Sequence, residues 1–225
     1  MRKPKRLPLE ALEPYWLPRP PLVGPPAPVE PLDWAALFGN NHPVEIEVGF
    51  GKGMFLVQSG RANPQVNYFG IEIVNKYVLF TANRLARHQL RNVIVTTADA
   101  RVFLRERVRS SSVRTVHLYF PDPWWKNRHQ KRIIFTDVFV AEVQRVLQPT
   151  GQLLLVTDVA DYMAMARETV ARASSLSEVE SPSLLPTAMH QGGTEGYLTN
   201  FERKFRLQGR PIYRAAFRKG AEQSV

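Results

Sequence analysis

The chain has 225 residues, 44% of them hydrophobic, which suits one domain of ordinary size and leaves little room for a second. It has no cysteine, which excludes disulfides, thiolate metal sites and cysteine nucleophiles, and no apolar run approaches the roughly 20 residues of a membrane helix. Thirty Lys and Arg against 20 Asp and Glu leave a formal charge of +10, which favours a polyanionic partner because each cation set against a phosphate releases counterions.

The N-terminus opens basic (Arg2, Lys3, Lys5, Arg6) but no apolar stretch follows, so it does not read as a secretory signal and a cytoplasmic enzyme is expected. Ten of the 18 prolines fall in the first 31 residues. Proline fixes φ and lacks the N–H donor, so this stretch is neither a central strand nor a long helix. It reads as an extended arm, residues 1–40, packing locally through Tyr15, Trp16 and Leu17. Residues 41–225 read as the globular domain.

From Val44 short apolar runs alternate with longer amphipathic ones, the pattern of parallel βαβ units. Strands are expected at 44–48, 67–72, 93–96, 115–120 and 151–156, with a last one at 211–217. Helices are expected at 54–61, 75–90, 100–108, 135–147 and 161–173, the second capped by Asn75.

In an open α/β sheet, ligands bind beyond the carboxyl ends of the strands, near the switch in strand order. Five successive strands bring a carboxylate there: Glu47, Glu72, Asp99, Asp122 and Asp158. One such acid would read as a helix cap; five on one edge read as a site. The loop after the first strand, Gly49-Phe50-Gly51-Lys52-Gly53, is G-x-G-x-G and puts Met54 where the dinucleotide fingerprint has its third glycine. It lacks the P-loop spacing too, so it suits an adenosyl ligand without pyrophosphate. Glu72 is placed to accept from both ribose hydroxyls, and Asp99-Ala100 lies by the adenine amino group.

The run Tyr119-Phe120-Pro121-Asp122-Pro123-Trp124-Trp125-Lys126-Asn127-Arg128-His129-Gln130-Lys131-Arg132 is the most specific signal. It interleaves aromatic faces with phosphate-seeking cations, as an unpaired or flipped base requires, beside an aspartate pinned between prolines. A second cationic stretch, Arg203 to Lys219, holds seven Lys/Arg and no acid. His42, His88, His117 and His190 show no metal-ligand spacing, and solvated or locally capped side chains are expected.

These segments resemble the bacterial tRNA (guanine-N7)-methyltransferase family. The likeness is carried by Glu45 to Gly51, Phe69 to Glu72, Phe120 to Trp124, Lys126 to His129, Thr157-Asp158 and Thr199 to Glu202, in order between about residues 44 and 219. It departs at Ile133, where the family has a second arginine after Lys131-Arg132, and at Val159, where an aromatic is usual. The resemblance implies a Rossmann-like fold, a mostly parallel seven-stranded sheet with helices on both faces and an antiparallel last strand. It implies S-adenosyl-L-methionine as cofactor and the variable-loop guanine of tRNA as target, with no metal and no membrane, in a monomer or homodimer. Glu47, Gly49, Gly51, Glu72, Asp99, Ala100 and Asp122 would hold the cofactor, with Asp122 also catalytic. Lys126, Arg128, His129, Arg132, Asp158, Thr199, Asn200, Phe201 and Glu202 would hold the substrate. Rival readings are a methyltransferase for exocyclic amines, a nicotinamide oxidoreductase and a catalytically idle RNA-binding protein. The single proline after Asp122, the residue at Met54 and the retained acids Glu47, Glu72 and Asp99 respectively argue against them.

Overall fold

The computed structural model describes residues 7–18, 30–122, 133–180 and 199–221. Its frame is an eight-stranded sheet: β1 (Trp16–Leu17), β2 (Val44–Val48), β3 (Asn67–Glu72), β4 (Val93–Thr97), β5 (Val113–Tyr119), β6 (Leu147–Thr157), β7 (Ser177–Val179) and β8 (Tyr213–Arg218). Spatial order is β1-β4-β3-β2-β5-β6-β8-β7. Strands β1 to β6 pair in parallel, whereas β8 runs antiparallel to both β6 and β7.

Each of the six expected strands is present, and the antiparallel last strand is where the family likeness put it. The sheet has eight strands, one more than the seven expected. Strands β1 and β7 escaped individual assignment because runs of two and three residues carry no period to read. The first comes from the proline-rich segment: Trp16 and Leu17 lie beside Val95 and Thr96, and the Thr96 hydroxyl donates to the Leu17 carbonyl at 2.9 Å. Tyr15 and Leu12 are buried with them.

Among the described residues seven α-helices join the strands: α1 (Trp34–Phe38), α2 (Met54–Ala62), α3 (Asn75–His88), α4 (Ala100–Arg107), α5 (Asp137–Val146), α6 (Ala160–Ala173) and α7 (Asn200–Leu207). Helix α1 was not expected; Asp33 caps it through the Ala36 N–H, and Gly39 ends it in the left-handed region. Asn75 is not the cap of α3. Val74 occupies that position, and the Asn75 side chain accepts from the Thr97 hydroxyl on β4.

Because side chains alternate across a strand, the sheet has two unlike faces. Ile46, Phe69, Ile71, Leu118, Leu153 and Leu155 point to the side covered by α1, α4, α5 and α6, and belong to a largely apolar core. Glu45, Glu47, Tyr68, Glu72, His117 and Tyr119 lie at the alternate positions, and the tyrosines join the core beneath α2 and α3. That second face is polar along its centre, and it leads to the site.

Candidate functional site

Strands β2 and β5 are neighbours, while the chain leaves β2 toward β3 on one side and comes to β5 only after β4 on the other. A crevice opens at such a switch point, beyond the carboxyl ends. It is a pocket of about 310 Å³ lined by Glu47, the glycine loop, Met54, Tyr77, Tyr119 and Phe120, with Thr199 and Phe201 on the far wall. A wider depression of about 500 Å³ lies at the other end of the strands, beside Arg61 and Arg91. None of the five strand-end carboxylates lines it, so the smaller pocket is the candidate site.

Glu47 is 2% exposed, and its Oε2 finds no hydrogen-bond partner among the described residues. Burial, with the charge of Glu72 added, pushes its carboxyl well above the usual carboxylate range. Glu72 is held open by the loop: Oε2 accepts from the Gly51 N–H and Oε1 from the Val74 N–H, both at 2.9 Å. Each oxygen keeps a lone pair for a ligand. Gly51 makes that contact at φ +52°, a conformation side chains avoid. Gly49 is left-handed as well, and its N–H donates to the Ile71 carbonyl at 2.8 Å.

Asp99 follows β4 and caps α4 through the Arg101 N–H at 2.9 Å, while the Arg101 guanidinium grips both its oxygens. Those bonds hold its carboxyl below the usual range. Ala100 is buried at the first position of α4. Asp122 is exposed beyond β5, after a backbone outlier: Phe120 has φ +51°. A bulky residue there costs of order 1–3 kcal/mol and persists only when its surroundings enforce it. Here the Phe120 N–H donates to the Val156 carbonyl at 2.7 Å, and its ring packs 5.5 Å from Phe205 and 6.3 Å from Phe201.

Helix α7 supplies the far wall. Thr199 caps it by accepting from the Glu202 N–H at 3.1 Å, so Thr-Asn-Phe-Glu is the start of a helix. Phe201 stays 54% exposed at the pocket, whereas Glu202 is fully buried. Its Oε1 takes Arg214 of β8 at 2.5 Å and Arg206 at 2.8 Å. Asp158, at the end of β6, pairs with Arg210, which also stacks over Phe205 at 4.2 Å.

The family model described as "Putative methyltransferase" matches residues 41–215. The tRNA (guanine-N(7)-)-methyltransferase of Rhodopirellula baltica is 38% identical over 81% of this chain and 68% of its own. That of Geobacter metallireducens is 36% identical over 85% of this chain and 89% of its own. The chain belongs to the tRNA (guanine-N(7)-)-methyltransferase family. Among solved structures, the aminoglycoside resistance methyltransferase NpmB1 superposes with a TM-score of 0.56 at 18% identity, over 81% of this chain and 89% of that one. The antibiotic-resistance methyltransferase Kmr gives 0.56 at 16% identity, over 86% and 96%. These two likenesses show a shared methyltransferase fold.

In this family member the structure brings Glu47, Gly49, Gly51, Thr199 and Phe201 to one pocket, with Glu72 fastened to its loop. Glu202 and Asp158 face arginines instead; of the seven C-terminal cations, Arg214 ties α7 to β8 and Arg210 pairs with Asp158 beyond β6, while Arg206 pairs with Glu202 within α7. Lys126, Arg128, His129 and Arg132 lie outside the described residues. His117, expected to be solvated or locally capped, is instead buried in a network that crosses between strands. It is 4% exposed, with Nε2 at 2.8 Å from Glu45 Oε2 and Nδ1 at 2.7 Å from the Tyr119 hydroxyl. Arg114 holds the other Glu45 oxygen at 2.6 Å. Burial raises the Glu45 carboxyl, but His117 and Arg114 outweigh it and hold it below its ordinary value. With Nε2–H donating to that carboxylate, Nδ1 accepts from Tyr119, which burial and the nearby carboxylates keep protonated. The partners sit on two different strands, so no spacing in the sequence announced them.

Proposed function

We propose that this chain transfers the methyl group of S-adenosyl-L-methionine to N7 of the variable-loop guanine of tRNA. The observation that carries the reading is the unpartnered, buried Glu47 oxygen facing a pocket beside the Glu72 carboxylate. A pocket with two carboxyl groups at one end, one of them short of a partner, fits a ligand bearing an ammonium, a sulfonium and two vicinal hydroxyls, and family membership supports the same ligand. Glu47 would take the cationic end, Glu72 the ribose hydroxyls, and the left-handed glycines would let the backbone lie against the ligand. Asp99 would accept from the adenine amino group. When bound, S-adenosylmethionine supplies a methyl group already activated by its sulfonium.

Guanine N7 carries an in-plane lone pair and is unprotonated at neutral pH, so the chain needs no general base. Its work is alignment, where holding two reactants in line contributes several kcal/mol. The outlier at Phe120 aims the Pro121-Asp122 segment, and Asp122 would accept from the guanine N1–H and amino group. That turns N7 to the methyl carbon and offsets positive charge growing on the ring. Thr199 and Phe201 line the pocket wall, and Glu202 acts by fixing the helix that carries them.

The test is methyl transfer from labelled S-adenosylmethionine to unmodified tRNA, followed by borohydride–aniline cleavage. Scission at the variable-loop guanine is expected. Label without scission would refute N7 as the acceptor, and tRNA binding without label would refute the enzyme.

A further inference from the structure

The two helical layers of the protein carry charge in different ways. On the layer of α4, α5 and α6, arginines and carboxylates are paired: Arg105 with Glu106, Arg145 with Glu142, Arg172 with Asp137, and Arg167 with Glu178. On the other layer the segment from Lys52 to Ala98 holds Lys52, Arg61, Lys76, Arg84, Arg87 and Arg91 against one acid, Glu72 inside the site, while Glu10 and Glu13 stand on the short turns Leu9–Ala11 and Glu13–Tyr15, the second of which packs against α3. Neither α2 nor α3 contains a carboxylate.

These cations form a track. Lys52 and Tyr77 line the site pocket. Arg84 donates to the Lys52 carbonyl at 2.7 Å, which places it at the rim. One turn on, His88 feels the positive charge of both Arg61 and Arg84, which adds to burial in holding its imidazole below the ordinary value. Arg61 and Arg91 then line the open depression at the far end of the sheet. Lys76, Arg87 and Arg91 are exposed, and Phe80 between them is 50% exposed. Fourteen residues of α3 span about 21 Å, enough to lie along several phosphates of one strand.

We propose that the outer face of α2 and α3, from Lys52 at the pocket to Arg61 and Arg91 at the opposite end, is a docking surface for the phosphodiester backbone of the tRNA substrate. The inference rests on the tRNA reading above and assigns a second contact outside the target base. Like charges gathered on two helices that themselves carry no carboxylate repel one another in the free protein. A polyanion laid along them removes that repulsion and releases its own counterions. A purely solvated helix surface would be expected to mix both signs, as α4, α5 and α6 do.

The experiment compares wild type with the triple variant Arg61→Gln/Lys76→Gln/Arg91→Gln, all at exposed positions, by anisotropy with unmodified tRNA across a salt series. S-adenosylmethionine affinity serves as the check on the site. A rise in Kd of about tenfold or more is expected, with a salt dependence shallower by roughly two logarithmic units per decade if three single-strand contacts are lost. The matching Lys variants at Arg61 and Arg91 should bind as wild type does. Arg167→Gln/Arg172→Gln on the opposite layer should change nothing. An unchanged Kd and slope in the triple variant would overturn the surface while leaving the tRNA reading intact. An equal loss from the opposite-layer pair would overturn it too, by showing that only net charge matters. Wild type that neither binds nor methylates tRNA would refute the functional reading itself.

Discussion

Replacing Glu47 with Met should make the protein more stable and unable to bind its cofactor. The buried Oε2 has no partner, and an orphaned buried acceptor costs about 1–3 kcal/mol, whereas Met fills similar volume with no polar atom. For a chain of this size each kcal/mol moves Tm by roughly 2–4 °C, so a gain of roughly 2–12 °C is expected. The pH dependence is the sharper signature. The native carboxyl holds its proton to higher pH than the unfolded one, whose ordinary value is 4.5. Below that value both states are protonated and Glu47 contributes no pH dependence. As pH rises, the unfolded chain releases its proton first, and native stability falls by up to about 1.4 kcal/mol per pH unit until the native carboxyl ionises too. The Met variant lacks this loss, so the gap in Tm widens from about pH 4.5 upward and then levels off. Differential scanning calorimetry of both ligand-free proteins from pH 4 to 9 measures it, with calorimetric titration of S-adenosylmethionine alongside. A gap that stays flat with pH, or a variant less stable at pH 8 than wild type, would refute the burial argument.

Three further outcomes follow from the geometry. Asp122→Ala should lower kcat by tenfold or more at saturating cofactor, and Asp122→Asn, which keeps an acceptor, should separate orientation from charge; full kcat in the Ala variant would remove Asp122 from the mechanism. Gly51→Ala puts a side chain at φ +52° and should cost about 1–2 kcal/mol while slackening the loop's grip on Glu72, read as a lower Tm together with weaker cofactor binding. Glu202→Gln leaves Arg206 and Arg214 without their shared carboxylate and should cost about 2 kcal/mol, with KM for tRNA rising as α7 loosens; a variant as stable as wild type would show that α7 is held by its phenylalanines alone.

The central strands were legible because they are buried on both faces and bounded by turn residues, as in Val44–Val48 and Asn67–Glu72. Glu47 and Glu72 were legible for the same reason, since a strand's end fixes where its last side chains sit. Elements made by pairing or capping were harder. Helix α7 did carry a local signal, the Thr199-x-x-Glu202 capping box ahead of an amphipathic run. Those residues were assigned to substrate through the family likeness, and that hid their structural work. Likewise β6 begins at Leu147, four residues ahead of the expected Gly151, because Pro149 and the left-handed Thr150 read as a loop although the chain stays in the sheet. The Arg114–Glu45–His117–Tyr119 chain joins β2 to β5, and nothing in either segment alone reveals it.

The sheet is bounded on one side by two residues and on the other by three. A long bare margin exposes a row of N–H and C=O groups that a second chain can extend. Strand β4, Val-Ile-Val-Thr-Thr, would be such a margin, and Trp16 and Leu17 lie across its middle. The prolines on either side of that pair limit how far the pairing can spread in the arm itself. On that ground the segment should guard against self-association. Cutting it away should leave the methyltransfer machinery assembled in a protein that clumps as its concentration rises.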